Sequence, residues 1–255
     1  MEITEYIAQC VNENKPINFL KFGDGEYNCA FHNFGENCDK DRYTSKLALC
    51  IKESFKYIVE NTDNTYIGMW HNTENTKKWE ELVDKKVNWV DYHTIIIDKK
   101  NTSDKLKLYK AIKNSKSKKI IVCNNLLIKS KLLLNIDHIV IVPFNNWFDN
   151  NFNEIFDKIK NLIINDENHI VITCCGMSAK VLITELIKTF SNGIYLDFGS
   201  ALDLICTKRD SRGREYDYNY IENLLSDILP TNWNDSQFEY LYNESKNKLG
   251  IHLPK

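Results

Sequence analysis

Two carboxylates, Asp24 and Glu26, stand two residues apart in Gly23-Asp24-Gly25-Glu26. An Asp-x-Glu pair suits a hydrated Mg2+ or Mn2+ ion, which takes hard oxygen ligands and bridges to substrate phosphates. A surface turn with two solvated acids has the same composition, and the tetrapeptide alone leaves both readings open. A second group is Cys175-Gly176-Met177-Ser178-Ala179-Lys180. Gly176 lets a ligand approach the backbone, and the N-terminus of the helix that follows offers free N–H groups to phosphate. Lys180 falls in the first turn and can point at the same anion. A plain strand-to-helix turn is the alternative, and the Gly-Lys-Ser/Thr of a Walker loop is absent. A third group, Lys208-Arg209-Asp210-Ser211-Arg212-Gly213-Arg214, places four cations in seven residues. Arg209 and Arg212 can grip a diphosphate or an acidic acceptor; a solvated loop is the common alternative for such a run.

These groups need elements to hold them. Ile17 to Phe22 is an apolar run between Pro16 and Gly23. It is too short for a helix and reads as a buried strand, and the two glycines after it permit a tight turn. Similar runs follow at Tyr66–Trp70, Thr94–Ile97, Lys119–Cys123, His138–Val142, His169–Cys174 and Ile194–Phe198. Apolar stripes at helical spacing mark residues 2–12, 47–58, 152–163 and 177–190, while 27–42 reads as a loop or broken helix. Alternating strands and helices predict an α/β fold: a mostly parallel sheet with helices on both faces. Residues 1–206 form the expected catalytic domain, with 207–255 as its helical C-terminal extension.

In a parallel sheet all strand carboxyl ends share one edge, where ligands bind. The residues expected there are Asp24, His71, Asn124, Gly176 and Gly199, with Ser200 and Asp203 beyond the last strand. His71, Asn124-Asn125 and Asn145-Asn146 are also ordinary turn and cap residues. Trp147 can stack on a base or sugar or simply pack. Asp197, inside the last strand, reads as a buried carboxylate that fixes the following turn.

Composition narrows the class. A net charge of −2, from 33 basic and 35 acidic residues, argues against a broad nucleic-acid surface. No stretch approaches the ~20 apolar residues of a membrane span. The Met-Glu-Ile-Thr-Glu start lacks a signal peptide's basic and apolar regions, so a cytoplasmic protein is expected, in a host cytoplasm or virion if viral. The eight cysteines lack a Cys-x-x-Cys pair, which argues against structural zinc, and Cys174-Cys175 reads as reduced.

Lys21-Phe22-Gly23-Asp24-Gly25-Glu26 resembles the Arg-Phe-Gly-Asp-Gly-Glu signature of the GT-D-type glycosyltransferases, with Lys21 where the family usually has Arg. Residues 171–203, through Cys-Gly-Met-Ser-Ala-Lys and Tyr-Leu-Asp-Phe-Gly-Ser-Ala-Leu-Asp, resemble that family's C-terminal half. The resemblance implies a Rossmann-like fold, a nucleotide-sugar donor (typically UDP-linked) and a divalent metal, Mn2+ or Mg2+. It puts Asp24 and Glu26 at the metal and donor. Donor contacts are expected from Lys21, Gly23, Gly25, His71, Asn124, Gly176, Met177, Ser178, Gly199, Ser200, Arg209 and Arg212. Asp203 is the candidate general base toward a glycan, glycoprotein or other hydroxyl acceptor. Two rivals stay open: an S-adenosylmethionine-dependent methyltransferase using Gly23-Asp24-Gly25 as a minimal cofactor loop, and a non-catalytic nucleotide-sugar-binding domain.

Overall fold

Seven strands make one sheet, and every pairing in it is parallel. The computed structural model describes residues 2–32, 34–70, 73–98, 100–163, 167–208, 212, 218–231 and 233. The strands are β1 (Ile17–Lys21), β2 (Thr65–Met69), β3 (Trp89–Asp91), β4 (Lys118–Cys123), β5 (His138–Ile141), β6 (His169–Cys174) and β7 (Gly193–Asp197). The helices are α1 (Ile3–Glu13), α2 (Asp24–Phe31), α3 (Ser45–Asn61), α4 (Thr73–Glu80), α5 (Thr102–Asn114), α6 (Ser130–Leu134), α7 (Trp147–Leu162), α8 (Ser178–Thr189), α9 (Asp203–Thr207) and α10 (Tyr218–Leu224).

The sheet order is β3-β2-β1-β7-β6-β4-β5. Side chains alternate along each strand, so the central strands are apolar on both faces. Ile17 and Phe19 of β1, Ile170 and Ile172 of β6, and Ile194 and Leu196 of β7 join one core, with α1 and α5 over it. Leu20, Val171 and Tyr195 join the other core, covered by α3, α7 and α8. Chain leaving β1 and β6 enters helices on this second face, whereas chain leaving β7 enters α9 on the first. In open α/β sheets ligands bind where neighbouring connections part to opposite faces, which here is at the carboxyl ends of β1, β7 and β6.

One strand lies elsewhere than the apolar pattern predicts. Thr94–Ile97 is a buried turn, and the edge strand is Trp89–Asp91. Ile95, Ile96 and Ile97 fill the first core while the Thr94 and Ile96 N–H groups close turns onto Asp91 and His93. An apolar run reports burial, and a short one does not report backbone shape. The described part of 207–255 joins the same core through Ile221, Leu225, Ile228 and Trp233. Among the described residues no helix is long and apolar enough to cross a membrane. All eight cysteines are free thiols, Cys174 and Cys175 included.

The polar-looking helix α4 is held by one large side chain. Trp79 is fully buried and meets Phe22, Phe31 and Phe55 at centroid distances of 5.0, 4.9 and 4.8 Å. Trp79→Ala is expected to cost about 3–5 kcal/mol in urea unfolding, because these rings cannot close on the space left.

Candidate active site

The Gly-Asp-Gly-Glu segment is the start of a helix and contains no glycine turn. Gly23 is the extended N-cap of α2, at φ −86° and ψ −161°, and neither Gly23 nor Gly25 has a positive φ. Asp24 and Glu26 therefore occupy the first and third helical positions. Residues two apart on a helix do not face each other. Asp24 is exposed and Glu26 is buried. Gly23 is small for a local reason: a Cβ there would lie 3.1 Å from the Tyr92 ring and 3.5 Å from the Trp70 indole nitrogen.

Beneath Asp24 lies a buried charge network. Lys180 Nζ is 2.5 Å from Glu26 Oε1, 2.9 Å from Asp197 Oδ2 and 3.4 Å from the Gly176 carbonyl. The other Glu26 oxygen accepts the Gly23 N–H at 3.0 Å. Asp197 is fully buried at the end of β7 and accepts from the Lys21 N–H (3.1 Å), the Gly199 N–H (3.1 Å) and the Thr173 hydroxyl (3.4 Å). Burial alone would lower the Lys180 pKa, but Asp197 and Glu26 outweigh it and hold the ammonium above its ordinary value. Burial, with the nearby Glu26 charge, pushes the Tyr92 phenol up.

Lys21 is wholly internal. Its side chain is 0% exposed, its ammonium donates to the Phe198 carbonyl at 2.7 Å, and it lies 4.6 Å over the Tyr92 ring. A Cβ at Gly199, whose φ is +51°, would come within 2.8 Å of Lys21 Nζ. Gly199 thus admits the lysine. Met177, Ser178 and Ser200 are also buried, and the Asn124 side chain caps the turn that follows it, accepting the Leu126 N–H at 2.9 Å.

A loop from Gly35 to Tyr43 roofs the Gly176 turn. Asp41, 3% exposed, accepts the Asn146 N–H at 2.6 Å, and Asn146 in turn accepts the Arg42 N–H at 2.9 Å. The close approach that Gly176 permits is taken by Asp41: a Cβ there would meet Asp41 Oδ2 at 2.7 Å, at a φ of +74°. Burial raises the Asp41 carboxyl from 3.8 to about 6, despite the Asn146 bond. Arg212 donates to Asp39 of this loop from both terminal guanidinium nitrogens, Nη1 and Nη2, at 2.8 and 2.6 Å. Trp147 is buried and donates from its indole to the Cys175 carbonyl at 2.9 Å, so it packs the loop base and presents no stacking face.

The carboxyl ends of β1, β4, β6 and β7 thus bring Asp24, Asn124, Gly176 and Gly199 to one edge, with the half-buried Asp203 on the first turn of α9. His71 and Arg209 lie outside the described residues. Trp70, Tyr92 and Asp41 belong to this edge and were not legible as site residues, because each lies in a segment without a recognisable motif. Two clefts, one beside Lys113 and Asp137 and one beside Thr62 and Val87, open at the amino ends of the strands and contain none of these residues. Among the described residues no group of three or more His, Cys, Asp or Glu side chains is arranged to hold a metal.

No protein-family model matches the sequence, and no curated protein matches it. Three solved structures share the fold, each over 92% of this chain. One is described as a domain of unknown function 1792 (DUF1792), at 14% identity, a TM-score of 0.55 and 97% of its own length. A second is described as that highly conserved domain with a distinct glycosyltransferase fold, at 15%, 0.56 and 92%. A third is described as a new glycosyltransferase (DUF1792) from Streptococcus sanguinis, at 15%, 0.57 and 96%. At these identities the likeness establishes the fold alone: an α/β fold that this chain shares with the three structures, two of which are described as having a glycosyltransferase fold or as a glycosyltransferase.

Two outcomes follow from this geometry. Lys180→Met leaves Glu26 and Asp197 buried without their cation and should cost about 3–5 kcal/mol in urea unfolding, part of it recovered on adding Glu26→Gln and Asp197→Asn. Asp41 has a folded pKa above its unfolded one, so its proton stabilises the fold at low pH. That contribution is present below about pH 4 and is lost as pH rises through about 6. Asp41→Asn should remove this component, read as a smaller stability difference between pH 4 and pH 7.5 than the parent shows.

Proposed function

We propose that this protein is a glycosyltransferase that moves a sugar from a nucleoside-diphosphate sugar, UDP-linked by resemblance, to an acceptor hydroxyl. The observation that carries the reading is the place of Asp24. It is a solvent-facing carboxylate on the first turn of a helix, at the carboxyl end of the interior strand β1, in a fold shared with structures described as glycosyltransferases.

The residues divide the work unequally. The first-turn N–H groups of α2 favour the negative diphosphate. Glu26, with each oxygen already hydrogen-bonded, is not placed as a metal ligand and instead anchors α2 to Lys180. Asp24 fits as the single protein carboxylate for a Mg2+ or Mn2+ ion, which commonly uses one or two carboxylates, waters and substrate phosphates. Such an ion would supply Lewis-acid neutralisation of the departing diphosphate. Asp203, at the same edge, is our candidate to take the acceptor's proton. Arg212 acts by fastening the roof loop through Asp39. The methyltransferase alternative loses its footing, since Gly23-Asp24-Gly25 forms a helix start and no cofactor loop.

The two acids should part company on substitution. Asp24→Asn is expected to leave the melting temperature within a few degrees of the parent and to abolish most Mn2+-dependent UDP binding and transfer. Glu26→Gln should instead cost about 1–3 kcal/mol of stability, through the lost charge-assisted bond to Lys180. Calorimetry of UDP with Mn2+, alongside transfer from a UDP-sugar, makes the test. Parent-like binding by Asp24→Asn would move the donor site elsewhere.

A further inference from the structure

An aromatic pair stands at the site edge: Tyr92 packs on the first core and under the Lys21 ammonium, and Trp70 lies outside both cores. Trp70 follows β2 and is 40% exposed. Its indole stacks on Tyr92 at a centroid distance of 4.5 Å and an interplanar angle of 17°. His93 meets the same indole edge-on at 4.7 Å. Tyr92 is in turn fixed from beyond by the Lys21 ammonium. One face of Trp70 is thus backed by a ring that cannot move without disturbing the interior. The pair rests on Gly23, one residue before Asp24.

The two sides of Asp24 differ in chemistry. Toward β6 and β7 the edge is made of small turns and polar groups, with Gly176, Gly199 and Asp203 half-buried at its surface and Ser178 and Ser200 buried beneath them. That side suits a hydroxyl-rich sugar and its acceptor. Toward β2 and β3 the edge is aromatic. A ligand whose diphosphate lies at α2 has one end on each side. A planar π face, backed and held still, favours a flat base over a puckered sugar.

We propose that Trp70 is the platform on which the base of the donor nucleotide stacks, so that the nucleoside lies over β2 and β3 and the sugar over β6 and β7. This rests on the nucleotide-sugar reading above. The test is calorimetry of UDP and of inorganic pyrophosphate, each with Mn2+, on the parent, Trp70→Ala, Trp70→Phe and Trp70→Leu. Stacking of one base predicts that Trp70→Ala weakens UDP roughly ten- to a hundred-fold, with pyrophosphate unchanged. Trp70→Phe should restore most of the affinity. Trp70→Leu, apolar but without a π face, should not, and it serves in place of the alanine variant if that variant fails to fold. UDP binding equal to the parent's in Trp70→Ala or Trp70→Leu overturns the proposal and leaves the donor reading standing. Equal weakening of UDP and pyrophosphate also overturns it, because Trp70 would then support the helix start. A parent protein that binds pyrophosphate but not UDP, or neither, overturns the donor reading and the platform together.

Discussion

The buried ammonium of Lys180 is the point on which the site depends. Its three protons reach Glu26, Asp197 and the Gly176 carbonyl. Through those partners it joins the helix after β1, the end of β7 and the turn after β6. Ions taken out of water cost several kcal/mol each unless every polar atom finds a partner. Here the partners are complete: Asp197 accepts four hydrogen bonds, and each Glu26 oxygen accepts one. The network therefore fixes three strand ends relative to one another. Lys21 extends it, since its N–H binds Asp197 while its ammonium holds Phe198 and faces Tyr92.

That arrangement explains why two acids of one short motif have different fates. The helix begins at Asp24, so its 3.6-residue period sends Asp24 to solvent and Glu26 inward. The inward acid is consumed by structure, and the outward one is left for a ligand. The roof loop shows a similar economy. Asp41 sits against Gly176 and on the Asn146 N–H, and Arg212 ties Asp39 from the C-terminal side. The acids nearest the edge thus have protein partners, while Asp24 has no ion pair among the described residues.

Much of the fold was legible because burial leaves a periodic trace. The runs at residues 17–22, 66–70, 119–123, 138–142, 169–174 and 194–198 are strands, and the stripes of α1, α3, α7 and α8 are helices. Where the trace is weak, reading failed. The α2 segment, Asp-Gly-Glu-Tyr-Asn-Cys-Ala-Phe, has no apolar stripe and two poor helix formers, and tertiary contacts decide its form. The α4 segment is polar except for Trp79. The abundance of Asn is partly a backbone matter: Asn14, Asn101, Asn135 and Asn146 all have positive φ, a conformation that Asn tolerates better than most. Candidate site positions could be placed at the sheet edge from strand ends alone. Which charge pairs with which could not, because the partners lie far apart in sequence and no local pattern encodes their meeting.

The Lys21–Asp197 contact spans 176 residues of sequence. It joins β1, the first strand made, to β7, the last. During synthesis the N-terminal strand must wait for nearly the whole sheet before its neighbour on that side exists. Closing so long a loop carries a large entropic cost before any contact offsets it, and such topologies fold slowly. The charge network can close only after residue 197 has been made, and a nascent chain cut short before it keeps Lys21, Glu26 and Lys180 without the carboxylate that unites them. Assembly of the site doubles as a record that the sheet is complete.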